Sequence, residues 1–201
     1  MEYQPAKNSR PEKITNPWDS DELRTWRTEF QKLFDSAVAR YQSGLRSPSH
    51  IFEGKDVEFL ASIGTSPFEI YDFVEDWSEV GEPSFETILA ITSVRHEYFV
   101  KEQQRKSSGL VQAPETFPAG TLDLAGFRWL PRIIAKARAK LKGELPSDIM
   151  YSCGADRPFL KKVGIAPEDF LKTVWESGSN DRAILERVEE AASGGKESYR
   201  D

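Results

Sequence analysis

An internal repeat at a fixed offset of 100 residues most constrains the fold of this chain. When residues 28–74 are aligned with residues 128–174 without a gap, eleven of the 47 positions are identical, about four times a chance level of roughly 6%. The identical pairs are Ala37/Ala137, Ala39/Ala139, Leu45/Leu145, Ser47/Ser147, Gly54/Gly154, Asp56/Asp156, Phe59/Phe159, Leu60/Leu160, Gly64/Gly164, Pro67/Pro167 and Val74/Val174. Because two glycines and one proline occupy equivalent positions in the two copies, we interpret the pattern as a tandem duplication.

Each copy of the repeat is predicted to form four helices. In the second copy, apolar residues recur every three or four positions over residues 127–142, 167–175 and from about 180 onwards, and a short helix is expected from Asp156 to Val163. In the first copy the corresponding outer helices are longer, at about 20–43 and 84–105. Ser66, Pro67 and Glu69 have the spacing of a capping box. We therefore predict an all-α fold in which two four-helix units pack together around a pseudo-twofold axis.

Composition divides the chain into five segments. Residues 1–17 are polar and contain three prolines, which predicts a disordered arm, and residues 193–201 are predicted to be a disordered tail. Residues 107–121 are rich in Ser, Gly and Pro, which is typical of a linker. The first copy then occupies residues 18–106 and the second copy residues 122–192.

Overall composition excludes several classes of protein. With 201 residues, the chain is long enough for a hydrophobic core without disulfide or metal support, and its single cysteine rules out an intramolecular disulfide. No apolar run is long enough for a membrane span, and no secretory signal is visible at the start, so we expect a cytoplasmic protein. The net charge of −6 opposes non-specific binding to nucleic acid.

Basic residues follow one face of the helix predicted at 127–142. They recur every four positions, with two more nearby and no acidic residue from 128 to 143; they are Arg128, Arg132, Lys136, Lys140, Arg138 and Lys142. Such a stripe has three interpretations: a solvated face whose long side chains cover the edge of the core, a site for an anionic ligand or partner, or a face that docks on the acidic helix at 69–76 within the same chain. The candidate ligand-binding residues are Trp129, Arg132, Lys136, Arg138 and Arg157.

The turn 151–157 contains the catalytic candidates, which are Tyr151, Cys153 and Asp156. A thiol at a helix start beside Arg157 has surroundings that can activate it. A nucleophile also needs a base within reach, and the second copy contains no histidine. We therefore interpret Cys153 first as a small buried residue. Asp156 and its counterpart Asp56 follow glycines, so helix capping is their simplest role.

Motifs for cofactor binding are absent from the sequence. The two histidines, His50 and His96, are isolated, and the chain has no H-E-x-x-H, C-x-x-C, G-x-G-x-x-G, P-loop or G-x-S-x-G sequence. We therefore predict no metal site and no cofactor.

The second copy resembles the bacterial domain-of-unknown-function 5069 family. The resembling residues are FRWLPRIIAKARAKLKGEL at 127–145, then Tyr151, Cys153 and Asp156, then FLKKVGI at 159–165 and PEDFLKTV at 167–174. The resemblance implies a small helical domain in a bacterial cytosolic protein, and it implies no reaction. The first copy resembles the family mainly through the second copy.

These observations favour a non-catalytic binding or adaptor protein, because the duplication comes without a convergent catalytic set. The partner would be an unknown protein or a small anionic ligand. The first alternative is an enzyme or ligand-binding protein for an anionic compound, with its site between helix 128–142 and the turn 151–157. The second is nucleic-acid binding through the basic helix, which the acidic overall charge disfavours.

Overall fold

In a computed structural model of the chain, residues 21–194 are described, with side chains from residue 25 onwards. The predicted N-terminal arm and residues 195–201 of the predicted tail lie outside this range. Within the described range the regular structure consists of α-helices, one 3₁₀ turn and one hairpin of two two-residue strands, which confirms the all-α prediction.

The first half of the chain forms five helices. They are α1 (Asp21–Gln42), α2 (Pro48–Ile51), α3 (Lys55–Ser62), α4 (Pro67–Val80) and α5 (Phe85–Lys101). The predicted capping box starts α4, where Glu69 N donates to Ser66 Oγ at 3.4 Å and Ser66 N donates to Glu69 Oε2 at 3.1 Å. The helix predicted to run to residue 105 ends at Lys101, because Gln104 and Arg105 adopt positive φ angles of 51° and 59°.

The second half begins with irregular chain. A single 3₁₀ turn, Pro114–Thr116, precedes strands β1 (Asp123–Leu124) and β2 (Phe127–Arg128) and helices α6 (Leu130–Lys142), α7 (Asp156–Val163), α8 (Pro167–Ser177) and α9 (Asp181–Gly194). Gly64 after α3 and Gly164 after α7 both have positive φ, at 81° and 72°. Residues with side chains reach this left-handed region only with strain, so glycine is favoured at both helix ends.

The start of α6 corrects the predicted basic stripe. Asp123 pairs with Arg128, and Leu124 with Phe127, in an antiparallel hairpin whose turn is closed by Gly126 N donating to Asp123 Oδ1 at 3.1 Å. Trp129 then adopts a φ of 79° and the helix begins at Leu130. Arg128 therefore lies on a strand and does not belong to the helical face, so its place in the stripe was wrong.

One hydrophobic core extends through both halves of the described chain. Helix α1 packs on α4 as α6 packs on α8, while α5 packs against both α6 and α8, so that the last helix of the first half crosses to the second. The segment predicted as a linker lies on the second half, where Gln112 N donates to Glu144 O at 2.9 Å and Phe117 is buried beside Ala139 and Ile149. The duplication and the pseudo-twofold axis stay predictions. Across residues 21–194, no helix combines the length and apolar character needed to cross a membrane.

Candidate functional site

The junction between α6 and the turn 151–157 contains a buried ion pair. Lys136 Nζ lies 2.6 Å from Asp156 Oδ2, and the two side chains are 3% and 0% exposed. Burying two charges costs more than their attraction returns unless their other hydrogen-bonding positions are also filled. The surroundings of the carboxylate meet that condition.

Asp156 accepts three further hydrogen bonds. Trp129 Nε1 donates to Oδ1 at 2.8 Å, and the backbone N–H groups of Ser152 and Cys153 donate to Oδ2 at 2.9 and 3.3 Å. Ser152 has a φ of 66°, and the turn formed there directs two successive N–H groups towards the same oxygen. A carboxylate bound by an ammonium, an indole and two amides is an anchor for the turn.

This bonding corrects the capping role expected for the two aspartates. Asp156 is the first residue of α7, and Ala155 at the N-cap position makes no side-chain cap bond. Asp56 is the second residue of α3 after Gly54, which also makes no such bond, and its carboxylate pairs with Arg40 at 2.8 Å. Asp56 and Asp156 do not cap helix N-termini. They pair with Arg40 on α1 and with Lys136 on α6, the long helices that precede them.

Cys153 lies beside the buried ion pair. Its sulfur accepts a hydrogen bond from Lys136 Nζ at 3.2 Å, and its carbonyl accepts the N–H groups of Asp156 and Arg157 at 2.9 and 3.1 Å. The thiol is half-buried, so it is more accessible than the small buried residue that we expected first. An ammonium beside a thiol is one of the surroundings found at nucleophilic cysteines, and here the ammonium is shared with Asp156. Here Lys136, and not Arg157, supplies the charge.

Tyr151 and Arg132, two other predicted site residues, donate to backbone carbonyls. Tyr151 donates from its hydroxyl to Pro167 O at 2.7 Å, and burial, reinforced by the charges of Asp156 and Glu168, raises its pKa well above the ordinary value. The phenol is therefore a structural donor. Arg132 donates to Pro118 O at 2.8 Å. The structure thus brings together Trp129, Lys136, Cys153 and Asp156. The guanidinium of Arg132 borders this group, 5.7 Å from the centre of the Trp129 ring, whereas the hydroxyl of Tyr151 is directed to Pro167 O.

Two more predicted ligand-binding residues are occupied within the chain. Arg157 Nη1 lies 2.7 Å from Asp76 Oδ2 on α4 and also donates to Ser152 O at 2.9 Å. Arg138 donates from Nε and Nη2 to Gly178 O at 3.1 and 2.8 Å, and its Nη2 lies 2.6 Å from Asp181 Oδ1 at the start of α9. Arg157 therefore links the two halves, while Arg138 joins α6 to the end of α8.

Lys140 corrects the interpretation of the stripe as a solvated face. Its Nζ lies 2.8 Å from Glu69 Oε1, and the side chains are 1% and 9% exposed. Lys136 and Lys140 are thus both inside the molecule. For Lys140 the structure confirms the third interpretation, docking on the acidic helix at 69–76.

Glu69 performs two tasks at the start of α4. Its Oε2 accepts hydrogen bonds from Thr65 Oγ1 at 2.8 Å and from the Ser66 backbone, while its Oε1 binds Lys140. Burial by itself raises the pKa of a carboxyl, but the Lys140 ammonium and the Thr65 hydroxyl outweigh burial and lower the pKa of Glu69 below its ordinary value. Glu69 is therefore charged at neutral pH and holds α4 against α6.

A groove of about 420 Å³ lies where α5, α6 and α8 meet. We call it the junction groove and define it by the residues that line it: Tyr98, Glu102, Arg138, Leu141, Lys142, Val174, Trp175, Gly178 and Ser179. The rings of Tyr98 and Trp175 meet edge to face at 5.5 Å, and Trp175 Nε1 donates to Glu102 Oε1 at 3.1 Å. Its volume is within the range of small-molecule sites.

The sequence did not identify Tyr98 and Trp175, the two aromatic residues that line the junction groove. Trp175 falls on the apolar face of α8 and looks like a core residue in the sequence, and Tyr98 comes from the other half of the chain. No sequence spacing joins the two, because the helices that carry them meet only through tertiary packing.

In residues 25–194 no three His, Cys, Asp or Glu side chains converge in a way that could hold a metal ion.

The second half of the chain is similar to a described protein family. Residues 118–198 match the model of the Domain of unknown function (DUF5069). This confirms the resemblance noted from the sequence, and it places both the Lys136–Asp156 pair and Cys153 inside the DUF5069 segment. From the junction groove, α6 and α8 belong to that segment, whereas α5 precedes it. No curated protein and no solved structure matches the chain.

Proposed function

We propose that this chain is a non-catalytic binding protein whose two halves form one ion-paired scaffold. The observation that carries the proposal is the burial of Lys136 and Lys140 with Asp156 and Glu69 as their counter-ions. The charged residues Lys136, Lys140 and Asp156, which were candidates for a functional site in the sequence, hold helices and turns in place.

Both alternative functions need charged groups that face outwards. A general acid or base must reach the proton that it transfers, whereas Asp156 is enclosed by its four donors. Binding to nucleic acid needs cations that can contact phosphates, whereas Lys136 and Lys140, two cations of the predicted stripe, are buried in ion pairs. These features favour a binding scaffold. They argue against a catalyst and against a nucleic-acid-binding protein.

Ligand-dependent stability tests this proposal. The full chain is heated with a panel of small carboxylates, sulfonates, phosphates and short oligonucleotides, and each compound that raises the melting temperature is recovered and weighed by mass spectrometry. A ligand that binds only the folded state raises the melting temperature more as its concentration rises. We expect at least one such anion to be recovered unchanged. Conversion of a compound in excess over the protein, abolished by Cys153→Ser, would contradict the proposal.

A second candidate function, a nucleophilic thiol, is favoured by the distance of 3.2 Å between Lys136 Nζ and Cys153 Sγ. Because Cys153 is the single cysteine of the chain, every alkylation event reports on it. The rate with iodoacetamide is compared between the folded chain and the chain unfolded in urea, with N-acetylcysteine as the control for urea. A faster rate in the folded chain supports a nucleophile despite partial burial. A slower rate shows that the fold protects the thiol.

A further inference from the structure

We infer that residues 112–120 form a displaceable strap over α6, and that the face beneath it fits an extended peptide with one aromatic side chain. We call this segment the strap. The inference goes beyond the proposed function, because it names a binding surface and the class of its occupant. It is drawn from the way in which the chain covers this surface with its own residues.

One aromatic side chain anchors the strap. Among residues 112–120, Phe117 is buried and the others are half-buried or exposed. Its ring packs with Ala139 and Ile149, and Ala135 and Leu145 border them, in a small hydrophobic cluster beside the main core. We call the four residues that receive the ring the strap face. Aromatic residues that fill apolar hollows supply much of the binding energy at protein interfaces, so the strap is held as a bound peptide is held.

The strap makes its polar contacts with α6 and the chain after it mainly through backbone groups. Gln112 N donates to Glu144 O at 2.9 Å, and Arg132 Nη1 donates to Pro118 O at 2.8 Å. The side chain of Gln112 adds a bond from Nε2 to Glu144 Oε2 at 3.0 Å. Backbone N–H and C=O groups are common to all peptides, so another extended segment can make the first two bonds. The strap face therefore selects for an aromatic side chain placed between them.

The end of the strap covers two residues that the sequence singled out for ligand binding. Gly120 approaches the Trp129 ring so closely that a Cβ atom on the glycine would lie 2.1 Å from Cζ3. Pro118 O occupies the guanidinium of Arg132, while Nε1 of the Trp129 indole donates to Asp156. A partner that displaces the strap therefore reaches Trp129 and Arg132 beside the buried ion pair.

Exposed chain joins the strap to the first half of the protein. Leu110 and Val111 are 64% and 70% exposed, and Gly109 has a φ of 68°, which residues with side chains rarely adopt. Local opening needs little free energy where few apolar contacts are buried, and in the strap these contacts centre on Phe117. We therefore expect the strap to open while α6 stays folded.

Amide hydrogen exchange of the full chain tests the opening. The probe is the Gln112 N–H, and the reference is the Ala137 N–H inside α6. We expect the protection of Gln112 to be at least ten-fold lower than that of Ala137. Phe117→Ala removes the buried ring and should lower the protection of Gln112 by a further ten-fold or more, with a smaller effect at Ala137. Equal protection of the two amides in the wild type would show that the strap opens only when the whole chain unfolds, and would overturn the inference.

A peptide added to the full chain tests the occupant. Synthetic QAPETFPAG, the sequence of residues 112–120, carries a fluorophore at its N-terminus, and its binding is followed by anisotropy. We expect saturable binding to Phe117→Ala, whose strap face lacks its ring, at least ten-fold tighter than to the wild type. The same peptide with alanine in place of phenylalanine should not bind. Val111→Ala removes an exposed side chain beside the strap, and this control should match the wild type in both measurements.

Thermal unfolding shows whether each variant folds. Arg132→Gln is a second opening variant, because it removes the bond to Pro118 O from a half-buried residue and leaves Phe117 in place. It should also lower the protection of Gln112. Unchanged protection of Gln112 in every folded variant would overturn the inference, as would a folded Phe117→Ala chain that binds the peptide no better than the wild type.

Discussion

Lys140 on α6 and Glu69 on α4 form a buried ion pair between residues 71 positions apart, with 2.8 Å between Nζ and Oε1. The pair joins the two halves of the chain at the point where Glu69 also caps α4. Lys140 Nζ additionally lies 5.4 Å from the centre of the Phe73 ring. The pair with Glu69 and the contact with Phe73 explain why Lys140 is compatible with this core.

Replacement of Lys140 by Met should destabilise the protein by about 3–5 kcal/mol, because Glu69 is left buried without its counter-ion. Adding Glu69→Gln should restore part of the loss, since glutamine keeps the capping box but carries no charge. Urea unfolding measures both changes. Lys142→Met, two residues further along α6 on an exposed position, is the matched control and should change the stability by less than about 0.5 kcal/mol. Equal losses at both lysines would refute a role for the pair.

The two equivalent aspartates should respond differently to replacement by Asn. Asp156→Asn removes the counter-ion of buried Lys136 and should cost about 3–5 kcal/mol. Asp56→Asn breaks a pair with Arg40 whose side chains are 40% and 29% exposed, and such pairs contribute about 0–1 kcal/mol. Both free energies of unfolding are measured in urea. If Asp56→Asn lowered the free energy of unfolding as much as Asp156→Asn, burial of the ion pair would not determine the loss of stability.

Stability should fall as the pH rises towards 7 because of Asp72. Burial raises the pKa of its carboxyl from 3.8 to about 7, with Lys140 opposing the change and Glu75, Asp76 and Glu69 reinforcing it. Between the two pKa values the folded chain holds a proton that the unfolded chain has lost, so the free energy of unfolding decreases as the pH rises through this window.

Asp72→Asn removes that dependence. The stability of the variant relative to the wild type should increase from pH 5 to pH 8, as measured by urea unfolding at each pH. Glu69 has a lowered pKa and stays charged across this window, so its titration does not interfere. Asp148→Asn, at an exposed aspartate, should show no such trend. A constant difference between Asp72→Asn and the wild type would contradict the prediction.

Alanine should be tolerated less well at Gly64 than at Gly164. Both glycines have positive φ, so each substitution carries a backbone strain of about 1 kcal/mol. At Gly64 a Cβ atom would lie 2.4 Å from the buried Phe99 ring, whereas at Gly164 its nearest neighbour is Ala191 O at 4.0 Å. Overlap in a packed core adds about 1–3 kcal/mol. Thermal unfolding compares the two variants, and equal melting temperatures would show that Phe99 moves aside freely.

Local signals in the sequence were sufficient for most helices. The apolar period placed α1 and α9 to within one or two residues, and the Ser66–Pro67–Glu69 spacing identified the cap of α4, because capping depends on neighbours within one turn. The start of α6 was predicted three residues too early. Phe127, Arg128 and Trp129 continue the helical pattern, but Gly126 and the left-handed Trp129 close a hairpin that periodicity alone does not reveal.

The candidate site was predictable only in part. Trp129, Lys136, Cys153 and Asp156 all lie in the stretch that the sequence singled out, and they meet because one turn folds back onto α6. The partners of Arg138 and Arg157 were not predictable. For Lys140 the sequence offered docking on the acidic helix at 69–76 as one of three interpretations, because the sequence around a cation is the same whether it faces water or a carboxylate 71 residues away.

The sequence by itself determined the all-α class, the positions of most helices, the position of the DUF5069 segment and the residue types available for a site. The helices depend on periodicity and spacing within a short stretch of chain, and the position of the DUF5069 segment comes from its resemblance to that family. Tertiary structure alone decided that Lys136 and Lys140 are buried with counter-ions, that Cys153 lies beside an ammonium, and that α5 completes a groove on the second half. Burial and pairing are properties of surfaces brought together from distant parts of the chain. The energy of a charge depends on those surroundings and not on its neighbours in sequence.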